Sequence, residues 1–161
     1  PHIAALGRKG YRMYKFLSTL LIISFLSGCT GNPTAVRGEE LANKNLYKDR
    51  SPVRFEVKVL EGGGAVMSRV WAGTKGTSIM NSADNILKND VSKLFQEKCG
   101  FQESDLKEVR VVEHNHPFYY EVWIFNDAKA KRFDGETGIS LVLNFPPTGG
   151  TDINWVGDCH A

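Results

Sequence analysis

The chain has 161 residues and a formal net charge of +2 at pH 7. All 18 acidic residues follow Cys29 and four of the 20 basic residues precede it, so residues 29–161 carry 16 basic and 18 acidic side chains, a net charge of −2. Interspersed charges with a slight acidic excess argue against a nucleic-acid-binding protein, and 133 residues suit a single domain with a modest core.

The N-terminal part has the layout of a secretory signal. The first methionine is Met13, and we expect residues 1–12 to be an upstream or non-native extension. A lysine, an apolar run over residues 16–26 and then small residues follow, which predicts a signal peptide over residues 13–28. The apolar run, about eleven residues, is too short for a membrane-spanning helix, which needs about 20.

This segment ends in Leu26-Ser27-Gly28-Cys29. The tetrapeptide resembles the lipobox of bacterial lipoproteins, and the resemblance covers residues 13–29. It implies cleavage between Gly28 and Cys29 and acyl chains on Cys29, which together anchor a protein stably. Thr30, in place of aspartate, implies an outer-membrane position facing the periplasm. The alternatives are an ordinary secretory signal followed by a chance cysteine, and a short buried helix.

Two regions are expected beyond the cleavage site. Residues 29–51 are polar and weakly patterned, and we interpret them as a lipid-anchored flexible tether with at most a short helical turn near residues 39–46. Residues 52–161 are expected to form a single α+β domain.

The domain opens with a predicted hairpin and then a helix. Apolar and charged residues alternate over residues 53–60, a glycine turn follows, and residues 65–72 provide the partner strand. Thr77 or Ser78 then suits the cap of a helix whose apolar stripe runs to Phe95. This is the only long helix that the pattern predicts.

The remainder predicts strands over residues 109–113, 118–125, 139–145 and 153–156. Short links between them favour antiparallel pairing. The expected fold class is α+β, with one main helix packed on a curled antiparallel sheet of about five to six strands. This architecture is similar to cystatin-like and related α+β lipoprotein domains, a likeness that does not determine function.

Cys99 and Cys159 remain once Cys29 is assigned to lipid. In a compartment that permits disulfides we expect them to be bonded. A closed loop of about 60 residues would stabilise the fold by roughly 4 kcal/mol in the chain-entropy model. The alternative is two free thiols.

His114 and His116 are spaced so that both imidazoles share one face of a strand, and Glu121 is a nearby acid. These three residues would serve an envelope hydrolase, but surface histidines in a turn are the simpler interpretation. The predicted helix carries no histidine that could be a third metal ligand. No nucleophile elbow or phosphate-binding loop is evident. We expect no catalytic residue, no metal and no cofactor.

The strand over residues 118–125 carries apolar residues on both faces. One helix covers only one face of a sheet, so we expect an exposed protein-binding surface of Tyr119, Trp123 and Phe125, joined by Trp71. The alternative is that a curled sheet, the tether or the C-terminal segment buries these rings.

The sequence therefore predicts a lipid-anchored envelope lipoprotein that acts as a non-catalytic protein-binding or assembly module. An inhibitor or immunity protein against a periplasmic enzyme or toxin is a specific version. The alternative is a small envelope hydrolase using His114, His116 and Glu121. The expected partners are the membrane, through the lipid, and an envelope protein, with no nucleic acid.

Overall fold

The computed structural model describes residues 33–160, and the predicted signal peptide and lipidation site lie outside the described residues. Two helices and seven strands follow one another within this range. The helices are α1 (Pro33–Lys48) and α2 (Asn85–Cys99), and the strands are β1 (Val53–Val59), β2 (Ala65–Trp71), β3 (Thr74–Lys75), β4 (Leu106–Asn115), β5 (Phe118–Asn126), β6 (Glu136–Asn144) and β7 (Asp152–Val156).

The strands form two antiparallel sheets, and the mixed α+β class is confirmed. β1 and β2 form a two-stranded sheet, the ribbon, and the other five strands form an open sheet in the order β3-β4-β5-β6-β7. Two expectations were wrong, because the strands do not share one sheet and there are two helices rather than one. Curling of the sheet stays a prediction.

Helix α2 lies where a helix is predicted, but it begins later. Ser78 caps a single 3₁₀ turn over Ile79–Asn81, and Asp84 then caps α2 by accepting a hydrogen bond from the amide of Leu87 at 2.8 Å. Gly100 ends the helix with a φ of 74°, a left-handed conformation that glycine adopts readily. The apolar stripe of α2 packs on β5 and β6 in a core of Met80, Leu87, Val91, Phe95, Cys99, Phe101, Phe125, Ile139, Leu141 and Leu143.

A second core occupies the opposite face of the five-stranded sheet, because alternate residues of β5 point to opposite faces. Trp71, the last residue of the ribbon, stacks there on Phe133 with ring centroids 4.0 Å apart. Its indole also covers Gly138, where any Cβ would overlap the ring. The buried members are Ala72, Tyr120, Val122, Ile124 and Val142.

Residues 33–48 form helix α1, which corrects the expectation of a tether with little order. Asn43 donates to the carbonyl of Phe55 at 2.9 Å and accepts from its amide at 2.7 Å, and Glu39 accepts from the amide of Val57 at 3.0 Å. These side chains form hydrogen bonds with backbone groups on the outer edge of β1, as a neighbouring strand would. No residue of α1 is fully buried. Among the described residues, neither helix is both long and apolar enough to cross a bilayer.

The expected disulfide between Cys99 and Cys159 is confirmed. Their Cα atoms lie 5.4 Å apart, and 60 positions separate them along the chain. Cys99 is the last residue of α2 and Cys159 follows β7, so the bond fastens the C-terminal segment to the helix.

Candidate binding cleft

A cleft of about 790 Å³ opens between α2, the start of β4 and the loop after β3. Its volume lies within the range of about 300–1,000 Å³ that is usual for ligand pockets. We call it the α2–β4 cleft. It has an aromatic floor and a polar rim, a combination that binds an apolar group and orients the polar groups around it.

Four aromatic residues contribute to the floor: Phe95 of α2, Phe101, and Trp123 and Phe125 of β5. Phe95 stacks on Trp123 with ring centroids 5.2 Å apart, and Phe101 stacks on Phe125 at 4.5 Å. Mutual stacking of this kind fixes the ring orientations. The floor is therefore preformed.

The expected open aromatic face on β5 was wrong in its extent. Helix α2 covers that face, and Phe125 is 2 % exposed within the core. Trp123 and Phe125 line the α2–β4 cleft, and of these two rings only that of Trp123 is partly exposed. Two of the predicted binding residues thus meet at one site.

The other two predicted binding residues, Tyr119 and Trp71, lie elsewhere. Tyr119 packs edge-on against the ring of Phe145 at 5.4 Å. Trp71 is on the opposite face of the sheet, where its indole donates to Glu136 at 3.0 Å. The separate ribbon carries Trp71 away from the face that it was expected to join.

Four carboxamides line the rim, and sequence reasoning missed them: Asn81, Asn85, Asn89 and Gln102. Each carries two donors and an acceptor. Asn85 and Asn89 are one helical turn apart on α2, which is the only signal that links any of them along the chain. Their relation to Gln102 appears only once α2 and β4 are folded together.

Three of the five charged residues that line the cleft form ion pairs. Lys75 lies 3.6 Å from Glu108, and Lys107 forms an ion pair with Glu136. The hydrogen bond from Lys107 is the main cause that lowers the pKa of Glu136 below its ordinary value, and the same bond raises the pKa of Lys107. The other two, Lys88 and Glu103, carry opposite charges, so the rim favours a ligand that is neutral or of mixed charge.

Glu121 of β5 lies beside the cleft and has no exposed surface. One carboxylate oxygen accepts from the amide of Ile79 at 2.6 Å and lies 2.7 Å from Nε2 of His114. The other accepts from the hydroxyl of Ser78 at 2.6 Å and from the indole of Trp123 at 2.8 Å. Four groups around one buried charge fasten the loop after β3 to the sheet.

This network contains two of the three residues named for the alternative hydrolase. His114 and Glu121 do meet, but His116 lies in the turn after β4, edge-on to Phe145 at 6.5 Å. The carboxylate stands between Ser78 and the imidazole, whereas a nucleophile is activated by an imidazole placed between hydroxyl and carboxylate. The arrangement orients the loop after β3 and the indole of Trp123. The Ser78 hydroxyl donates a hydrogen bond to Glu121 and is not activated as a nucleophile.

A second carboxylate–imidazole pair was not foreseen. The Nδ1 atom of His160 lies 2.8 Å from Asp127, and Thr137 donates to the same carboxylate at 2.7 Å. Burial alone would raise the pKa of Asp127, but the hydrogen bonds from Thr137, the Lys129 amide and His160 outweigh it and lower that pKa. Asp127 and His160 are 33 positions apart, and no local pattern links them.

Comparisons with protein-family models, curated proteins and solved structures find no match to this chain. Within residues 33–160, no three histidine, cysteine or acidic side chains are grouped so that they could hold a metal ion.

Proposed function

We propose that this protein is a lipid-anchored lipoprotein of the cell envelope that binds a protein partner without catalysing a reaction. The observation that carries the proposal is the α2–β4 cleft, which combines a preformed aromatic floor with a carboxamide rim. Stable protein interfaces are built around an apolar anchor in a pocket with polar groups at its border. The cleft supplies the pocket, and a partner's side chain would supply the anchor.

An extended segment of the partner suits the cleft because one wall is the start of β4. β3 pairs with β4 only at Arg110 and Val111, and Gly76 donates to the carbonyl of Val109 at 3.1 Å. Among the described strands, none lies beside the outer edge of residues 106–108. The carboxamides opposite would bond to the alternating donors and acceptors of a peptide backbone.

The hydrogen bonds around Glu121 favour binding over the alternative hydrolase that would use His114, His116 and Glu121. A general base needs an acceptor site directed at the reacting proton. Both oxygens of Glu121 already accept hydrogen bonds, and the residue has no exposed surface. Its role in the proposal is to hold Trp123 and the cleft wall in position.

The envelope part of the proposal derives from Leu26-Ser27-Gly28-Cys29, with cleavage before Cys29, acylation of its thiol and amine, and an outer-membrane position facing the periplasm. The disulfide between Cys99 and Cys159 supports it, since such bonds persist in oxidising compartments. An inhibitor or immunity protein that occupies a partner's surface is the specific version.

Site-specific photocrosslinking in cells tests the cleft. A benzophenone amino acid at Asn89, which lines the rim, should crosslink to a defined envelope protein. The matched control is Asp90, exposed on the same helix but turned about 100° away. Asn85→Arg, added to the Asn89 variant, should block the cleft and weaken the crosslink. Equal crosslinking from Asn89 and Asp90 would count against the cleft as the binding site.

The anchor is tested separately by labelling with a palmitate analogue and by cell fractionation. The native chain should incorporate the label and sediment with membranes. Cys29→Ser should do neither, and residues 13–28 should stay attached. A native chain without acyl mass would contradict the envelope assignment.

A further inference from the structure

The ribbon ends in an apolar tip that no part of the described chain covers. Leu60, Val66 and Met67 at this tip are 44 %, 51 % and 48 % exposed, and the glycine turn at residues 62–64 joins the two strands. We propose that this tip rests in the surface of the membrane beside the lipid anchor, an inference that depends on the proposed acylation of Cys29.

The tip exposes apolar side chains on both faces of the ribbon. Val66 pairs with Lys58 and Met67 pairs with Val57, so the two β2 side chains point to opposite faces. All residues of β2 from Ala65 to Arg69 are exposed. A protein partner that docks on one face would leave the apolar side chains of the other face exposed to water. The membrane surface would instead surround an inserted tip on both faces.

The path of α1 places this tip at the anchored end of the domain. Asn43 contacts Phe55 and Glu39 contacts Val57, so α1 runs antiparallel to β1. The spacing agrees, because four helical residues rise about 6 Å and two strand residues about 6.6 Å. Continued by one more turn, this register brings the first turn of α1 beside the end of β1, where the tip begins.

Cys29 lies four positions before Pro33, the first residue of α1. A segment of four residues spans at most about 14 Å. The acyl chains on Cys29 therefore hold the N-terminus of α1, and with it the apolar tip, within a short distance of the lipid headgroups. Val36, in the first turns of α1, is 42 % exposed at this same end and adds to the apolar surface.

The charges near the tip favour a shallow, mainly apolar contact. Arg37 and Lys58 are balanced by Glu40 and Glu61, so attraction to anionic headgroups contributes little. Glu61 adjoins the glycine turn, and its carboxylate would stay at headgroup level. Amphipathic helices at the membrane surface enter about 5–10 Å into the headgroup and acyl boundary, and a similar depth would bury the side chains of the tip.

The experiment places an environment-sensitive probe at the tip of the acylated full chain in vesicles of phosphatidylethanolamine and phosphatidylglycerol. Val66→Cys supplies a reactive thiol for the fluorophore, because Cys29 is acylated and Cys99 is bonded to Cys159. The matched control is Ile86→Cys on α2, which is apolar and more exposed, at 73 %, but lies outside the tip. The Val66 probe should shift its emission to the blue and be quenched by doxyl-labelled lipid, and the Ile86 probe should show neither effect.

Each result decides between named possibilities. A Val66 probe as unquenched as the Ile86 probe, on chains that float with the vesicles, overturns the inference and leaves the anchor intact. A blue shift without lipid quenching indicates that a second copy or a protein covers the tip, and it also overturns the inference. Chains that fail to float show that the proposed anchoring has failed, and the inference fails with it.

Discussion

Glu121 couples the α2–β4 cleft to the body of the fold through a single side chain. Its carboxylate holds the Ser78 hydroxyl, the Ile79 amide and the Trp123 indole, all within 2.8 Å, and it has no exposed surface. A buried charge costs little only while its hydrogen bonds are complete. We therefore expect the stability of the fold to fall even when Glu121 is replaced by a side chain of the same shape.

Glu121→Gln should lower the free energy of unfolding by about 3 kcal/mol, because an amide group would face donors and leave them unsatisfied at about 1–3 kcal/mol each. Urea titration followed by tryptophan fluorescence measures the change. Glu97→Gln is the control, since Glu97 forms only an exposed pair with Lys93. A Glu121→Gln protein within about 0.5 kcal/mol of the native value would show that the network does not hold the loop.

Asp127 contributes to the loss of folding stability at low pH. Its pKa is lowered in the folded state, although burial opposes this, because Thr137, the Lys129 amide and His160 all stabilise the carboxylate. A depressed folded pKa stabilises the protein above the unfolded value, about 3.9, and that stability is lost as the pH falls through the folded pKa. Asp127→Asn should flatten the fall in unfolding free energy below about pH 4. An unchanged acid profile in the variant would contradict this assignment.

Helix α1 combines a narrow apolar stripe with polar contacts, because Ala35, Ala42 and Leu46 are half-buried on one side of it. It contains Gly38 in its interior and no fully buried residue. Asn43 donates to and accepts from the backbone of Phe55, and Glu39 accepts from the amide of Val57. Pro33 at its first position suits a helix start. A short helix is marginal in isolation, so tertiary contacts stabilise α1. Besides those with β1, Tyr47 donates to Glu113 of β4 and packs on the ring of Tyr120 of β5.

Asn43→Ala removes both hydrogen bonds to the backbone of Phe55 and should weaken the docking of α1 by about 1–2 kcal/mol. Hydrogen exchange at the amides of Phe55 and Val57 should then accelerate, because the edge of β1 opens locally. Asn45→Ala is the control on the exposed side of the helix. If the β1 amides exchange equally fast in both variants, α1 does not protect this edge.

The elements that sequence periodicity predicted are those whose stability is local or amphipathic. β1, β2 and β5 lie where the sequence pattern placed them. Of these three, β5 buries residues on both faces, whereas β2 is exposed from Ala65 to Arg69. The start of α2 was misplaced because Ser78 caps a 3₁₀ turn while Asp84 caps the helix. Helix α1 was missed because its stabilising partners, Phe55 and Val57, are 12 and 18 positions away.

The candidate cleft was foreseen in only two of its residues. Trp123 and Phe125 carry the aromatic signal that is typical of an interface, but their place in the cleft depends on how α2 packs on the sheet. The bond from Ser78 to Glu121 spans 43 positions, and the pair of His160 with Asp127 spans 33. Such contacts depend on the assembled sheet, which local pattern does not encode.

The disulfide joins two distant parts of the chain, because it bonds Cys159 in the C-terminal segment to Cys99 at the end of α2. The double variant Cys99→Ala/Cys159→Ala should lose about 4 kcal/mol of unfolding free energy, the entropy of closing a loop of about 60 residues. Each single variant should lose a similar amount, since either one removes the same bond. A loss below about 1 kcal/mol in urea titrations would be incompatible with this role.

The same variants test whether the disulfide affects the pKa of Asp127 through His160. His160 follows Cys159 directly and is one of the groups that lower the pKa of Asp127. Without the disulfide the C-terminal segment is held less firmly, so the carboxylate should lose much of its contact with the imidazole. The pKa of Asp127, followed by NMR titration, should then rise towards its ordinary value, while that of Glu136, which is set mainly by Lys107, should not move. A parallel rise of both would indicate general loosening of the sheet rather than release of one segment.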